Sequence, residues 1–304
     1  MSTPRVPAAA SPTQAASGST AGSQARQRRR MVRRFTRRPP AVLGLIGVVL
    51  IVGAAVLAPV IAPYDPAQPH YSDSLLPPLS KGYLLGTDDL GRDIASRVIW
   101  GAQVSLQVGV LATLLAAAFA VPIGLAAGYY RGWLDSIIMR ANDVVLSFPF
   151  LILAVALAAI LGPSVTNATI ALAVGQVPVF LRIARGEALG LREQDYIQAA
   201  IVNGARDRTI LFRHILPNTL SPLVVQATVA IPVAIIGAAV LSFLGLGVQP
   251  PTPSWGSMLS EAQDYLSQSA WFAVFPGLAI VVTTLSFNLL GDGLRDVLDP
   301  RTRA

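Results

Sequence analysis

VSLQVGVLATLLAAAFAVPIGLAA, residues 104–127, is a run of 24 residues without a charged side chain, bracketed by Arg97 and Arg131. A helix rises about 1.5 Å per residue, so roughly 20 such residues cross the ~30 Å hydrocarbon core of a bilayer. Lipid satisfies no backbone hydrogen bond, whereas a helix satisfies its own. The stretch therefore predicts a membrane-spanning helix.

Other charge-free stretches on both sides of this one predict five more spans. The six predicted spans cover residues 41–61, 104–127, 144–161, 168–181, 220–248 and 270–290. Residues 144–181 are too many for one span, and Gly162-Pro163-Ser164 supplies a turn inside them. The fourth span has only 14 uncharged residues before Arg182. We expect its helix to continue past Arg182 and Arg185, whose side chains can reach the interface.

The lysines and arginines are distributed unevenly between the predicted loops. Of the 23 basic residues, 20 fall on the side that carries both termini, and only Lys81, Arg92 and Arg97 fall on the other. The positive-inside rule then places both termini in the cytoplasm and favours six spans over five or seven. The net charge of +7 is explained by topology, so no nucleic-acid partner is expected.

The sequence predicts that the whole chain divides into four parts. Residues 1–38 read as a disordered, Arg-rich cytoplasmic tail, because they have few large apolar side chains and eight arginines between positions 26 and 38. The apolar stretch that follows is interpreted as a retained first span, with a cleaved signal peptide as the alternative. The remaining parts are residues 39–100 (first span and outer loop), 101–296 (five-helix core with a long inner loop at 182–218) and 297–304 (cytoplasmic tail).

Several kinds of chemistry lack support in the sequence. There is no cysteine, and the two histidines, His70 and His214, lie in different loops, so neither a metal site nor a catalytic residue is predicted. The single lysine, Lys81, does not belong to a phosphate-binding loop, so ATP hydrolysis by this chain is not expected. A self-sufficient secondary transporter or channel would need ionisable residues at mid-depth, and an intramembrane hydrolase would need a histidine partner for a serine.

The long inner loop has helical features of its own. Asp195 is predicted to cap a helix in which Ile197 and Ile201 share an apolar face, and Asn203-Gly204 is predicted to end it. A second short helix carries Ile210, Leu211, Phe212 and Ile215, and Pro217 is expected to stop or kink it. These residues alone also fit an amphipathic loop that lies on the bilayer.

The residues Gln198-Ala199-Ala200, Gly204 and Leu216-Pro217 resemble the "EAA" loop of ABC importer permeases. The resemblance implies that the loop is a coupling helix that docks into a groove of an ATP-binding subunit. Gln198 stands where glutamate is usual, and His214 where many importers have isoleucine. The implied coupling residues are Asp195, Tyr196, Gln198, Ala199, Ala200, Gly204, Ala205, Arg213, His214, Leu216 and Pro217.

Three more stretches narrow the family. They are GTDDLGRDIASRVIWGAQVSL (86–106), LSFLGLGVQPPTPSWGSML (241–259) and NLLGDGLRDVLDPR (288–301). From residue 37 to 301 the chain resembles the second permease subunit of dipeptide, oligopeptide and nickel ABC importers, with Gln103 where arginine is common. The family implies an all-α, six-span type I importer permease fold in the bacterial cytoplasmic membrane. It also implies as partners a homologous permease, two ATP-binding subunits that hold ATP and Mg²⁺, and an extracytoplasmic substrate-binding protein.

The first of these stretches contains a charged outer-loop motif. Its residues are Gly86, Thr87, Asp88, Gly91, Arg92, Asp93 and Arg97. Their spacing permits local ion pairs and helix capping, so we interpret the motif as a structural cap beside the second span. The alternative is a docking surface for a binding protein. In the second stretch, Pro250-Pro251 and Pro253 are expected to form a rigid turn after the fifth span, with a gate as the alternative.

Overall fold

A computed structural model describes residues 35–298, and within that range the regular secondary structure is helical. Most of the predicted disordered tail, and residues 299–304, lie outside the described residues. The helices are α1 Pro39–Val56, α2 Ala58–Ile61, α3 Ile94–Tyr130, α4 Gly132–Leu146, α5 Phe150–Leu161, α6 Val165–Arg192, α7 Asp195–Val202, α8 Asp207–Thr209, α9 Leu216–Phe243, α10 Trp255–Ala262 and α11 Trp271–Leu298. A π-helical turn at Ile210–Ile215 joins α8 to α9.

Five stretches of helix are long and apolar enough to cross a membrane, and a bent helix pair can form a sixth span. The five are α1, α3, α6, α11 and the continuous run from α8 through α9, and the bent pair is α4 with α5. The predicted all-α architecture with six spans is therefore confirmed. The predicted division of the chain at residue 100 falls inside α3, which is unbroken there.

The centre of the fold is the close packing of α3 against α6. A Cβ atom added at Gly124 would collide with the main-chain oxygen of Leu181, and one added at Gly128 with that of Arg185. Buried alanines, among them Ala184 and Ala188, lie along the contact. Small residues let two helix backbones approach closely, which is how helices commonly associate in lipid.

The predicted third span, residues 144–161, is wrong in its first third, residues 144–149. Val144 belongs to α4, which carries Asp135, Arg140 and Asp143, and the chain turns by 87° before α5 begins at Phe150. Pro149 explains the break, because proline donates no hydrogen bond and disfavours helix at the residue before it. Counting uncharged residues could not detect this bend.

The other spans differ from the predictions mainly at their ends. The expected continuation of the fourth span past Arg182 and Arg185 is confirmed, because α6 ends at Arg192. The fifth ends at Phe243, five residues before the predicted limit, and the sixth continues to Leu298. Helix α10 was not predicted. It begins at Trp255, and the side chain of the preceding residue, Ser254, forms a capping box with Ser257.

Candidate functional site

A cluster of five charged residues lies between the start of α3 and α10. This ion-pair cluster consists of Asp88, Asp89, Arg92, Arg97 and Glu261. Arg92 donates to Asp88 (Nε to Oδ2, 2.6 Å) and to Glu261 (Nη2 to Oε2, 2.8 Å). Arg97, only 1% exposed, donates to the same two carboxylates. The cluster thus fixes the chain before α3 to α10, more than 160 residues later.

Backbone geometry around the cluster depends on the other residues of the outer-loop motif. Gly86 and Gly91 have positive φ angles, and a Cβ added at either would collide with the main-chain oxygen of Leu76 or His70. The side chain of Thr87 accepts a hydrogen bond from the Leu76 N–H at 2.8 Å. Asp93 caps α3, because its Oδ2 accepts from the N–H of Ser96 at 2.8 Å. All seven predicted motif residues are buried, which favours a structural cap.

The cluster holds one more negative than positive charge. Burial and the neighbouring Asp88 raise the pKa of Asp89 above its ordinary value, against the opposing effect of Arg92. Carboxylate oxygens of Asp88, Asp89 and Glu261 lie within 4.8 Å of one another, a spacing that suits a cation. The guanidinium groups of Arg92 and Arg97 already pair with these oxygens, so the arrangement is an ion-pair network.

A tryptophan ties α10 to α3 beside the cluster. Trp255 is 2% exposed, and its indole N–H donates to the Val98 oxygen at 3.0 Å. Its ring lies against Gly101, where a Cβ would come within about 3 Å of it. The turn before α10 contains the Pro250–Pro251 peptide in the cis form. The predicted break after the fifth span is therefore a defined connection into a buried helix.

The second region is the chain between α6 and α9, residues 193–215, here called the α6–α9 loop. Its inner side is anchored by Ile197, Ile210 and Ile215, which are fully buried. At the end of α3, the hydroxyl of Tyr129 donates to Asp207 at 2.8 Å, and Arg192 lies over the Tyr129 ring, 5.3 Å from its centroid. The loop is therefore a folded bracket of short helices.

The outer side of this bracket is exposed and partly apolar. Val202 is 85% exposed, Phe212 54% and Tyr196 46%. Asp195, Gln198, Ala199, Gly204, Arg213 and Pro217 are also exposed, while Ala200, Ala205, His214 and Leu216 are half-buried. An exposed set of large apolar side chains on a well-anchored element indicates a surface that another protein or lipid covers.

Some local predictions for the loop are confirmed. Helix α7 ends before Asn203, and Gly204 follows with φ +76°. The predicted second short helix over Ile210–Ile215 is also present, as a π-helical turn. The apolar face predicted for α7 is only half buried, because Ile201 is 36% exposed while Ile197 is covered.

One other local prediction is wrong, and one of the two effects predicted for Pro217 is absent. Asp195 does not cap α7, because Gln194 occupies the cap position and Asp195 lies in the first turn. There its carboxylate faces the positive end of the helix dipole. Pro217 does not stop the helix, because it lies in the first turn of α9, where its missing N–H costs little. The π-helical turn before it leads directly into α9, with the Leu216 N–H donating to Leu211.

Gln198, which stands where the resemblance to the "EAA" loop leads us to expect glutamate, folds back on its own chain. Its amide Nε2 donates to the main-chain oxygen of Arg192 at 2.8 Å. A glutamate could not donate this bond, since an ionised carboxylate only accepts. In this chain the side chain thus braces the link between α6 and α7.

Sequence reasoning missed Glu261 and Gln176. Glu261 completes the ion-pair cluster from a segment for which no helix was predicted. Two buried arginines need negative counter-charges, and this need could have indicated that a carboxylate from elsewhere in the chain joins them. Gln176 lies inside α6 and accepts from the Thr113 hydroxyl at 3.2 Å. It also donates to the Ala230 oxygen at 3.3 Å, so it connects three spans. An amide within an otherwise apolar span was the signal that could have found it.

The fold defines a multi-pass helical membrane protein, and the bracketed loop gives it an exposed surface outside the spans. A family model described as "binding-protein-dependent transport system inner membrane component" matches residues 120–304. The chain belongs to this family, and it is therefore an inner-membrane permease component. A second model, "N-terminal TM domain of oligopeptide transport permease C", matches residues 26–78.

Relatives agree with this assignment, and a solved structure shares the fold. The chain is 45% identical to the dipeptide transport system permease protein DppC of Alkalihalophilus pseudofirmus over 87% of this chain and 86% of that one. It is 49% identical to the glutathione transport system permease protein GsiD of Escherichia coli O157:H7, over 89% of each. A chain of the inward-facing MetNI methionine ABC transporter superposes with a TM-score of 0.58 at 19% identity, covering 67% of this chain and 97% of that one. This last likeness concerns the fold alone.

Proposed function

We propose that this chain is one of two permease subunits of an ABC importer for small peptides. The relatives named above are permeases for dipeptides and for glutathione, itself a small peptide. Both termini are placed in the cytoplasm, following the distribution of basic residues. The peptide passes between this chain and a homologous permease, and ATP with Mg²⁺ is bound and hydrolysed on two separate subunits.

The observation that carries this proposal is the α6–α9 loop. It combines a firmly anchored base with an exposed apolar rim at Tyr196, Val202 and Phe212. Such a rim suits docking in a groove of an ATP-binding subunit, with the other exposed loop residues, including Arg213, around it. Because the base is packed on α3 and α9, a displacement of the rim is transmitted to the spans.

Coupling then works as a population shift. ATP closes the two ATP-binding subunits and brings the paired loops together, which favours the outward-facing state of the permease pair. Release of the hydrolysis products favours the inward-facing state. A ligand shifts such an equilibrium only by its difference in affinity for the two states, so the loop must contact the ATP-binding subunits differently in each.

The ion-pair cluster has a supporting role in this scheme. Its charges pair within the chain, which makes the segment before α3 a rigid cap on the extracytoplasmic side. The substrate-binding protein docks over this side, on residues outside the buried cluster.

Affinity purification followed by transport assays tests the proposal. Tagged chain is purified in mild detergent, its partners are identified by mass spectrometry, and the complex is assayed in proteoliposomes with labelled dipeptides, glutathione and nickel. We expect a second permease, ATP-binding subunits and ATP-dependent peptide uptake. Uptake of nickel alone would contradict the peptide assignment, and uptake by the chain without ATP-binding subunits would indicate a secondary transporter.

A further inference from the structure

The break between α4 and α5 opens onto a cavity among the spans. Residues 147–149 are not helical, and among residues 35–298 no side chain caps the first turn of α5 after Pro149. At membrane depth, irregular backbone occurs only where protein buries it or where it lines a wet cavity. Here it lines a cavity of about 360 Å³ together with residues of α6 and α9. This volume lies within the range of small-ligand sites, about 300–1,000 Å³.

The cavity lies well inside the membrane-spanning part of the chain. The ring of Phe150, at the break, is so close to Gly175 that an added Cβ would collide with it. Gly175 lies ten residues after the start of α6 at Val165, which corresponds to about 15 Å along the helix. This is half of a hydrocarbon core about 30 Å thick. The break and the middle of α6 therefore share one depth.

Two glutamines provide the side-chain amides of the cavity. Gln176 is buried and already bonded to Thr113 and Ala230, so its position is fixed. Gln226 is half-buried, and within the described part of the chain its amide makes no hydrogen bond. An amide within the bilayer that lacks a hydrogen-bond partner costs free energy. Gln226 is therefore available to a molecule that enters the cavity.

We infer that this cavity is a substrate-contact site in the translocation path, where the amide of Gln226 binds the main-chain amide groups of the passing peptide. The inference rests on the proposed function, which supplies the peptide. A glutamine amide is both a donor and an acceptor, so it can pair with the N–H and the C=O of a peptide. No lining residue is charged, so the site reads the backbone common to all peptides rather than their termini or charged side chains.

The site has the form that a transport path requires. One uncharged contact holds the peptide weakly, so it can leave again, whereas a buried ion pair would retain it. Exposed Val229 and Val233 lie beside Gln226 on the cavity wall, so the open side faces away from this chain's core. The second permease closes that side in the assembled pair.

Transport kinetics of the complete importer test the contact. Gln226→Leu keeps the size of the side chain and removes the amide. The control is Gln107→Leu, on an exposed part of α3 outside the cavity. With labelled dialanine and glutathione as probes, we expect Gln226→Leu to lower kcat/KM for uptake threefold to tenfold, about the effect of one hydrogen bond. Gln107→Leu should transport like the wild type.

Site-specific labelling gives a second readout that does not depend on rates. The chain has no cysteine, so Gln226→Cys introduces a single thiol into it. We expect a water-soluble thiol reagent to label this residue, and labelling to fall at least threefold when peptide-loaded binding protein and ATP drive turnover. Gln107→Cys should show no dependence on peptide.

The outcomes separate the two proposals. Wild-type peptide uptake, together with unchanged kcat/KM in Gln226→Leu, overturns the contact and leaves the importer assignment standing. The same holds if labelling of Gln226→Cys is insensitive to peptide, because the passing peptide would then not shield this residue. Failure of the wild-type complex to import any peptide overturns both.

Discussion

The ion-pair cluster and the α6–α9 loop are both rich in charged residues, yet they use them differently. In the cluster, Asp88 and Arg97 are at most 1% exposed and find their counter-charges inside the chain. In the loop, Arg213 is exposed and Val202 is 85% exposed. A region whose charges are paired within the chain stabilises the fold. A region whose apolar and charged side chains are exposed is available to a partner.

The two regions also differ in how a substitution should act. A change in the cluster leaves a buried charge unpaired and so affects folding. A change on the exposed rim of the loop has little effect on folding and affects what docks on it. Stability measurements should therefore respond most to the cluster, and transport measurements to the loop.

Arg97→Met should cause the largest loss of stability. It removes a guanidinium that pairs with both Asp88 and Glu261, and breaking a buried ion pair from one side costs about 3–5 kcal/mol. Thermal unfolding of the purified protein in detergent, followed by size-exclusion chromatography, measures the effect. Arg213→Met is the matched control, and its melting temperature should equal that of the wild type. Equal melting temperatures of Arg97→Met and Arg213→Met would contradict the proposed difference between a stabilising cluster and a docking loop.

Gly204→Val should abolish coupling with a smaller effect on the fold. Gly204 has φ +76°, a conformation that costs a β-branched residue about 1–3 kcal/mol, and no atom of the described residues lies within 4 Å of where its Cβ would stand. The strain therefore distorts the turn after α7 rather than the core. We expect the protein to reach the membrane and the complex to hydrolyse ATP without peptide uptake. Normal uptake would count against the role of the loop.

Asp89→Asn should have the smallest effect on stability, and it should stabilise the fold where Arg97→Met destabilises it. Because the pKa of Asp89 is raised in the folded protein, its ionised form disfavours folding above that pKa, and acidification relieves the cost. The relief occurs between the ordinary value of 3.8 and the raised value. Solvent reduces the effect to a few tenths of a kcal/mol, since Asp89 is only partly buried. Melting curves from pH 4 to 8 should show Asp89→Asn slightly more stable at pH 8, and a less stable variant would contradict the pKa shift.

The difference between the regions also explains what could be predicted from the sequence. Spans such as residues 104–127 follow from length and the absence of charge, and Gly204 as the end of α7 follows from its backbone freedom. The break at Pro149 was missed, because the charged helix before it was not recognised as part of the bent pair. Hydropathy measures how apolar a stretch of sequence is, and it contains no information on where the chain bends.

Long-range pairing was beyond the sequence for another reason. The motif residues from Gly86 to Arg97 were recognised, but Glu261 belongs to their network only after the spans have packed. The same holds for Gln176, whose partners Thr113 and Ala230 lie on two other helices. A single sequence shows which groups need partners, and the packed structure shows where those partners are.

The most direct test of the docking role of the α6–α9 loop uses two single cysteines in this cysteine-free chain. Val202→Cys lies on the loop rim, and Leu79→Cys, 79% exposed, lies in the segment before α3. Their reaction with a thiol reagent is compared in the permease pair alone and after the ATP-binding subunits are added. We predict that labelling at residue 202 falls several-fold while residue 79 reacts as before. Unchanged labelling at residue 202 would show that the ATP-binding subunits do not cover the rim, which would contradict its assignment as the coupling surface.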